Sequence, residues 1–497
     1  MTGAHSILTR RRAGILLHIT SLPGGIGNGD FGVDAYRFVD FLAECELSVW
    51  QTLPINQPGE GISPYDCLSA FAGNPLLINL EWLRERGWLS EIAQEKTEIA
   101  ADYRLACLRK AFESFKQLST DDPYRQFSVE FAENNSSWLM DFSLFMALRE
   151  ENKHRPWQEW PIPLRDREPE AMRAARMRLA DEMAYIEFEQ FVFFQQWHEL
   201  REYARRRGVV LFGDMPIFVA WHGADVWACR EYFDLTPEGY PRVVAGVPPD
   251  YFSATGQRWG NPLYNWPQMA ADGFSWWVAR LRTQLNLYDW VRIDHFRGLE
   301  AYWEIPADSD SAVNGHWVKA PGAELLETFF GTFGREELPL VAENLGIITP
   351  EVEALRHRFD IPGMAILQFA FDGSPSNPYL PGNQTANTVV YTGTHDNDTT
   401  LSWYESLSDE VKQQVYAELG NPELPMPLAL VQCALDSVAQ LVILPMQDVL
   451  ELGTGNRMNT PGTVGDHNWT WRFDWDQLTA DKVDRLEALV KSSGRDF

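Results

Sequence analysis

Eight short apolar runs constrain the fold of this 497-residue chain more than any other feature of its sequence. The runs are rich in β-branched and aliphatic residues, and most are bounded by Pro, Gly, Asn or Asp, as buried strands of parallel sheets are. Segments with helical periodicity separate many of them, including residues 33–43, 189–207, 274–285, 350–359 and 409–418. The runs cover residues 14–19, 49–55, 209–215, 289–294, 339–343, 364–369, 389–394 and 441–446.

The alternation of strands and helices predicts an α/β protein with a (β/α)8 (TIM) barrel. The alternative is an open, doubly wound sheet, which gathers its ligand-binding residues at one switch point. In this chain, polar residues follow the ends of many runs, and this pattern favours the barrel.

Uneven spacing of the runs predicts one catalytic barrel over 1–497 with three insertions at the carboxyl ends of strands. Residues 56–208 are largely helical in pattern, whereas the insertions 219–276 and 299–338 are expected to be irregular. After the last run, a loop and a helical tail near 475–491 remain, so we expect no C-terminal β-sandwich domain.

Net charge limits the kinds of partner that the protein can bind, and cysteine usage indicates its compartment. A formal net charge of −28 argues against nucleic acids and anionic membranes and favours a neutral substrate. The five scattered cysteines form no C-x-x-C pair, which indicates reduced thiols in the cytoplasm. No run approaches the length of a membrane span, and the basic N-terminus lacks the flanks of a signal peptide.

The run at 289–294 carries two charges on one face. Arg292 and Asp294 are two residues apart, so in a strand their side chains point the same way. Buried charges are costly unless they are paired or used. One interpretation is a structural ion pair, and the other is a catalytic carboxylate at the end of a barrel strand.

Further acids stand at the ends of other runs, namely Asp214, Glu343 and Asp396. A strand-end Asp is often only a helix N-cap. Glu343, however, precedes Asn-Leu-Gly and has no helix to cap. Because the carboxyl ends of barrel strands meet at one mouth, several acids there with an Arg indicate an active site.

Two facing carboxyl groups suit glycosidic chemistry, in which one attacks the sugar carbon and the other protonates the leaving oxygen. We expect Arg292 to lower the pKa of Asp294 and keep it a nucleophile. Neighbouring carboxylates should raise the pKa of Glu343 and make it the acid. Asp396 would stabilise the positive charge of an oxocarbenium-like transition state.

Two histidines beside these acids leave a metal site as an alternative. His295 follows Asp294, and His395 precedes Asp396. No H-x-H or H-E-x-x-H spacing supports a metal, so we expect neutral rings that hydrogen-bond sugar hydroxyls and no metal or other cofactor.

Three motifs together resemble those of amylomaltases, or disproportionating enzymes, the 4-α-glucanotransferases of glycoside hydrolase family 77 in the α-amylase clan. They are Arg292-x-Asp294-His295, Ala342-Glu343-Asn344-Leu345-Gly346 and Thr394-His395-Asp396-Asn397. The resemblance extends from about residue 16 to 472 and includes residues 63–65, 70–75, 213–218, 246–250 and 258–264.

The resemblance implies transfer of a 4-α-glucan segment from one α-1,4-glucan to the 4-hydroxyl of another glucan or glucose. It implies a retaining double displacement, with a covalent glucosyl-enzyme on Asp294, Glu343 as acid and then base, and Asp396 as stabiliser. Retention requires carboxyl groups about 5–5.5 Å apart. By the same matching, the substrate subsites are lined by Tyr65, Asp214, Trp259, Arg292, His295, His395 and Asn468.

The resemblance also implies that residues 247–259 form a loop over the cleft and that 456–463 flank its other side. The expected partners are maltooligosaccharides and α-1,4-glucans derived from starch or glycogen, bound by a monomer or small homo-oligomer. Two rivals stay open: an α-amylase-type hydrolase, which would use the same three acids, and a non-catalytic glucan-binding protein.

Overall fold

The protein is described by a computed structural model over residues 10–59, 61–92, 100–249, 253–334 and 338–496. Its strands are β1 (Arg12–Leu16), β2 (Val49–Gln51), β3 (Val210–Met215), β4 (Val243–Val247), β5 (Gln257–Pro262), β6 (Trp290–Ile293), β7 (Ala301–Pro306), β8 (His316–Lys319), β9 (Leu340–Ala342), β10 (Gly363–Ile366), β11 (Thr388–Tyr391) and β12 (Leu441–Pro445).

Eight of these strands form one parallel sheet in the order β10-β11-β12-β1-β2-β3-β6-β9. Its two ends meet where the Ala342 amide donates to the Pro362 carbonyl (2.8 Å) and the Met364 amide donates to the Asn344 side chain (2.7 Å). The sheet is therefore a nearly closed barrel. Each of the eight apolar runs supplies one strand, which confirms the predicted (β/α)8 fold.

Alternate residues of the barrel strands face two separate cores, as a period of two requires. One core fills the barrel with large side chains from several strands, including Leu16, Phe212, Trp290, Val341 and Tyr391. The other lies between the strands and the surrounding helices. Because both faces of the strands are buried, their sequences are continuous apolar runs.

Helices separate most of the barrel strands, and each predicted helical segment overlaps one of the helices. The helices are α1 (Val33–Glu44), α2 (Leu80–Glu85), α3 (Ala100–Lys116), α4 (Pro123–Asn134), α5 (Leu139–Glu151), α6 (Ile162–Arg165), α7 (Pro169–Arg178), α8 (Ala180–Arg206), α9 (Ala224–Ala228), α10 (Trp266–Ala271), α11 (Ser275–Leu287), α12 (Gly322–Phe333), α13 (Pro350–Arg358), α14 (Thr400–Ser406), α15 (Asp409–Glu418), α16 (Leu428–Asp436), α17 (Met446–Val449) and α18 (Ala480–Ser492). Helices α2 to α8 lie between β2 and β3, where the helical insertion is predicted.

The other two insertions are not irregular, and this expectation is wrong. They share a four-stranded antiparallel sheet in the order β5-β4-β7-β8. Strand β4 of the first insertion pairs with β7 of the second, with Val244 opposite Ile305. Within each insertion two successive strands form a hairpin, β4 with β5 and β7 with β8. The β4–β7 pairing joins segments that are distant in sequence, and the pattern of either segment alone does not indicate it. Residues 250–252 of the predicted cleft loop lie outside the described residues.

Arginines hold the amino end of the barrel together. The buried Arg495 donates to the carbonyls of Leu435 (2.7 Å), Ser437 (2.9 Å), Ala439 (2.8 Å) and Arg12 (3.0 Å). The carbonyls of Leu435, Ser437 and Ala439 lie at the end of α16 and in the turn that follows, where the helix dipole favours a cation, whereas that of Arg12 lies on β1. The C-terminal tail is thereby tied to the first and last barrel strands.

Candidate active site

A buried arginine at the mouth of the barrel binds two carboxylates. Arg292 Nη1 lies 2.7 and 2.6 Å from the two oxygens of Asp214 and 2.9 Å from Oδ1 of Asp294. Asp214 and Arg292 are register partners on β3 and β6, which brings them side by side. The Tyr65 hydroxyl donates to Asp214 at 2.7 Å. Four of the predicted site residues thus form one contiguous network.

Glu343 follows β9 and is held by two backbone amides. Its Oε2 accepts from the His295 N–H and its Oε1 from the Leu345 N–H, both at 2.8 Å. His295 has a φ of 49°, in the left-handed region that side chains other than Gly rarely adopt. This backbone turn aims the His295 N–H at Glu343, so the two motifs meet at that carboxyl group.

Asp396 lies on the loop after β11 and faces the cleft, with 48% of its side chain exposed. Its Oδ1 accepts from the Asn459 amide at 2.6 Å, and its Oδ2 lies 3.4 Å from Nε2 of His395. The third predicted catalytic acid is therefore held by neutral donors and no arginine or lysine side chain pairs with it in the described part of the chain.

Aromatic rings line two sides of this network. Tyr65 stacks on His395 with centroids 5.2 Å apart and planes at 20°, and Trp469 lies 5.7 Å from Tyr65. On the other side, the Trp259 ring meets the edge of His295 at 4.8 Å and 84°. Trp259 belongs to β5, so the small antiparallel sheet brings this ring to the mouth of the barrel.

Burial dominates the protonation of the two central acids. It raises the pKa of Asp294, and the negative charges of Asp214 and Glu343 raise it further, against the opposing effect of Arg292. Burial likewise raises the pKa of Glu343, although Arg292 and the two backbone N–H groups act in the opposite direction. Arg292 acts on the pKa of Asp294 in the expected, lowering direction, but burial outweighs it and the net pKa is raised.

The nearby histidines are neutral at pH 7. Burial lowers the pKa of His295 to about 3 and lowers the pKa of His395 as well. Nε2 of His295 is buried and has no hydrogen-bond partner among the described residues. A neutral ring at each position agrees with the expected hydrogen bonding to hydroxyl groups.

Asn468 forms its side-chain hydrogen bonds within its own loop. Its Oδ1 accepts from the Thr460 N–H at 2.8 Å, and its Nδ2 donates to the Thr463 carbonyl at 3.0 Å. These bonds fold the loop 460–468, which stands beside the cleft. Contact of Asn468 with a substrate stays a prediction.

Sequence reasoning missed Asn459 and Trp469 as site residues. Both lie in the segment 456–472, which was predicted only to flank the cleft or to match the family. An Asn and a Trp in a loop carry no local mark of their contacts with residues far away in sequence. The resemblance, which extends to residue 472, covers Trp469 but assigns it no role.

Two kinds of feature are absent from the described residues. No group of three His, Cys, Asp or Glu side chains is arranged to hold a metal ion there. No helix within the described ranges has the length and apolar character needed to cross a membrane.

A family model described as 4-alpha-glucanotransferase (glycoside hydrolase family 77) matches residues 17–479. The chain belongs to the 4-α-glucanotransferase family. The 4-alpha-glucanotransferase of Thermus thermophilus is 48% identical over 98% of this chain and 99% of the relative. The corresponding protein of a Synechocystis species is 45% identical over the same shares of the two chains. This 4-α-glucanotransferase is therefore an enzyme that acts on α-glucans.

Solved structures agree with this family. The amylomaltase from Streptococcus agalactiae, determined in complex with acarbose, superimposes with a TM-score of 0.93 at 37% identity and covers 98% of this chain and 100% of that one. The amylomaltase from Corynebacterium glutamicum has a TM-score of 0.77 at 19% identity. At this identity the likeness supports only the fold.

Proposed function

We propose that this 4-α-glucanotransferase disproportionates maltooligosaccharides by a retaining double displacement. The observation that carries the proposal is the network in which Arg292 binds Asp294 while Glu343 is held next to it through His295. It supplies a carboxylate with a counter-ion and a second carboxyl group with a raised pKa at one mouth, as glycosidic chemistry requires.

In the first step, an oxygen of Asp294 attacks the anomeric carbon of the donor glucan. The bond from that carbon to the glycosidic oxygen breaks, and Glu343 gives its proton to the departing oxygen. The products are a glucosyl ester on Asp294, an ionised Glu343 and a shortened glucan. Half-exposed Asp396 faces the sugar, and its negative charge stabilises the developing positive charge on the ring.

In the second step, the 4-hydroxyl of another glucan attacks the same carbon from the face that the first product left. Glu343 takes the hydroxyl proton as the new bond forms, and Asp294 departs as a carboxylate. Two inversions give net retention, so the α-1,4 linkage is rebuilt. The enzyme ends with the proton on Glu343 and the charge on Asp294, as it began.

The raised pKa values of Asp294 and Glu343 support this assignment of protons. Because both acids are buried, the pair retains one proton at neutral pH instead of carrying two charges. When the donor is bound, we assign the proton to Glu343, since Arg292 stays 2.9 Å from Asp294 and stabilises its charge. The steps as written need no metal or other cofactor.

The walls of the mouth suit a glucan. Tyr65, Asp214, Arg292 and His395 form one side of the glucosyl site, and Trp259 and His295 form the other. Aromatic faces pack on sugar rings, and Trp259 is 39% exposed and so is free to receive an acceptor. The described residues 247–249 and 253–259, from the end of β4 to the first part of β5, would exclude water from the ester and favour transfer over hydrolysis.

Incubation with maltotriose alone tests the proposal. Transfer predicts free glucose and a ladder of longer maltooligosaccharides with a constant number of reducing ends. Rising reducing ends without a ladder would favour the hydrolase. Binding without products would favour the glucan-binding protein. Asp294→Asn should abolish formation of glucose and of the longer maltooligosaccharides while leaving maltotriose binding within about tenfold. In the native enzyme, mass spectrometry of the adduct formed by a slow fluoro-sugar substrate should find the label on Asp294.

We also propose the cytoplasm as the working compartment and a monomer or small homo-oligomer as the working form. All five cysteines lie in the described residues, and none forms a disulfide. Free thiols are typical of a reducing compartment. Size-exclusion chromatography with light scattering measures the oligomeric state directly.

A further inference from the structure

We propose that Asn459 is a positioning residue for the reaction, because it orients the carboxylate of Asp396. This inference rests on the proposed function, in which Asp396 stabilises the transition state. The Asn459 amide donates to Oδ1 of Asp396 at 2.6 Å. Only Asn459 and His395 hold this carboxylate in the described residues, although half of it is exposed.

The segment 457–459 also holds the backbone of the acid. The Asn459 N–H donates to the His395 carbonyl at 3.1 Å, and the Arg457 guanidinium donates to the Asp396 carbonyl and to the Asn459 carbonyl. The dipeptide His395-Asp396 is therefore held at two carbonyls and one carboxylate by a single short segment. Asn459 is 8% exposed, so its amide is fixed in place.

The same segment is closed into a loop by its far end. The Trp469 N–H donates to the Met458 carbonyl at 2.7 Å, and the Trp469 ring lies 5.9 Å from His395. Asn468 folds the residues between them. The loop 457–469 thus contacts both the catalytic acid and the aromatic wall, and its conformation sets the direction of Asp396.

A neutral donor suits this role better than a cation. A lysine or arginine on Oδ1 would neutralise the charge that Asp396 offers to the transition state. An amide fixes the oxygen while leaving the charge in place, and the effect is on orientation and not on charge. Misplacement of a reacting group by about 1 Å can reduce a rate about 10²-fold.

Two variants test the proposal with maltotriose as donor and acceptor. Asn459→Ala should lower kcat about 10²-fold and change KM less than about threefold, because free rotation of Asp396 affects the transition state more than binding. Asn459→Asp, of nearly the same shape, places a second carboxyl group against that of Asp396, and repulsion between the two charges favours a proton on the pair. The acidic limb of the kcat profile should then move to higher pH by ~1 unit or more.

The control is Asn421→Asp, which adds the same charge at an exposed position between α15 and α16 and should leave the acidic limb unchanged. Melting temperatures of all variants separate activity from folding. A normal kcat in Asn459→Ala, or equal pH profiles for the two Asp variants, would overturn the role of Asn459. Asp396→Asn distinguishes this from the proposed mechanism: if that variant stayed fully active, the assignment of Asp396 would fall, and the role of Asn459 with it.

Discussion

The two ends of the barrel bury charge in opposite ways. At the carboxyl end, one guanidinium, Arg292, serves the carboxylates of Asp214 and Asp294. At the amino end, Arg495 is bound by backbone carbonyls, and none of the described acids forms an ion pair with it. The first arrangement has more negative than positive charge, and the second has donors matched to acceptors.

This difference separates a reactive site from a structural one. Burial raises the pKa of Asp294 and of Glu343, and neighbouring carboxylates add to the rise, so this end of the barrel holds a proton near neutral pH. Carbonyls around Arg495 instead satisfy the guanidinium without any group that titrates near pH 7. Changes at the carboxyl end should therefore alter activity and pH dependence, whereas changes at the amino end should alter the free energy of unfolding.

The largest expected effect is at the carboxyl end. Glu343→Ala should reduce transfer from maltotriose roughly 10²- to 10⁴-fold, because the leaving oxygen receives no proton. With α-maltosyl fluoride, whose leaving group needs no proton, formation of the maltosyl-enzyme should stay within about tenfold of the native rate. Stopped-flow release of fluoride measures this step. Equal losses with both donors would contradict the role of Glu343 as the acid.

At the amino end, Arg495→Ala should lower the free energy of unfolding by about 2–4 kcal/mol, because several carbonyls lose their donor. Activity at low temperature should stay within about twofold. Denaturant unfolding and maltotriose transfer measure the two quantities. The matched change Arg485→Ala, at a half-exposed ion pair with Glu451, should cost less than about 1 kcal/mol. Loss of activity without loss of stability in Arg495→Ala would erase the contrast between the ends.

Glu189 extends the comparison to a buried acid outside the mouth. It lies on α8, and burial raises its pKa to about 7. The folded state therefore holds this proton more tightly than the unfolded chain, and stability falls as pH rises from about 4.5 through about 7. Glu189→Gln should add about 1–3 kcal/mol at pH 8 and almost nothing at pH 4. The exposed change Glu133→Gln should show no such pH dependence, and a stabilisation equal at both values would contradict the cause.

The smallest effect concerns the crowding of carboxylates. Asp214 raises the pKa of Asp294, so Asp214→Asn should lower that pKa and move the acidic limb of kcat/KM down by about one pH unit, with weaker overall transfer. The exposed change Asp409→Asn should leave the limb in place. Movement of the limb to higher pH would mean that Asp214 acts mainly by orienting Arg292, and not by its charge.

The barrel could be predicted from the sequence because the apolar pattern of each strand is local. Each strand is buried on both faces, so its residues form an apolar run that needs no partner to be recognised. The four-stranded sheet was missed because β4 and β7 belong to different insertions and expose part of their surface. Trp259 was predicted as a site residue by resemblance, but the strand that carries it was not.

The site was predictable to the level of residue type and not to that of protonation. Asp294, Glu343 and Asp396 stand at the ends of apolar runs, and the fold carries such positions to one mouth. The lowering effect of Arg292 on the pKa of Asp294 was predicted, but the net rise was not, because the sequence shows neither the burial of Asp294 nor that Asp214 shares Arg292. Asn459 was missed because its bond to Asp396 joins residues that are far apart along the chain.

The sequence by itself determined the barrel, its helical insertion, the family and the acids at the strand ends, because periodicity and motif spacing are properties of short segments. The tertiary structure decided which group shares Arg292, which backbone amides hold Glu343 and which loop orients Asp396. These outcomes depend on contacts between distant segments. Burial and charge act there through distances of a few ångströms, and the order of residues along the chain does not specify those distances.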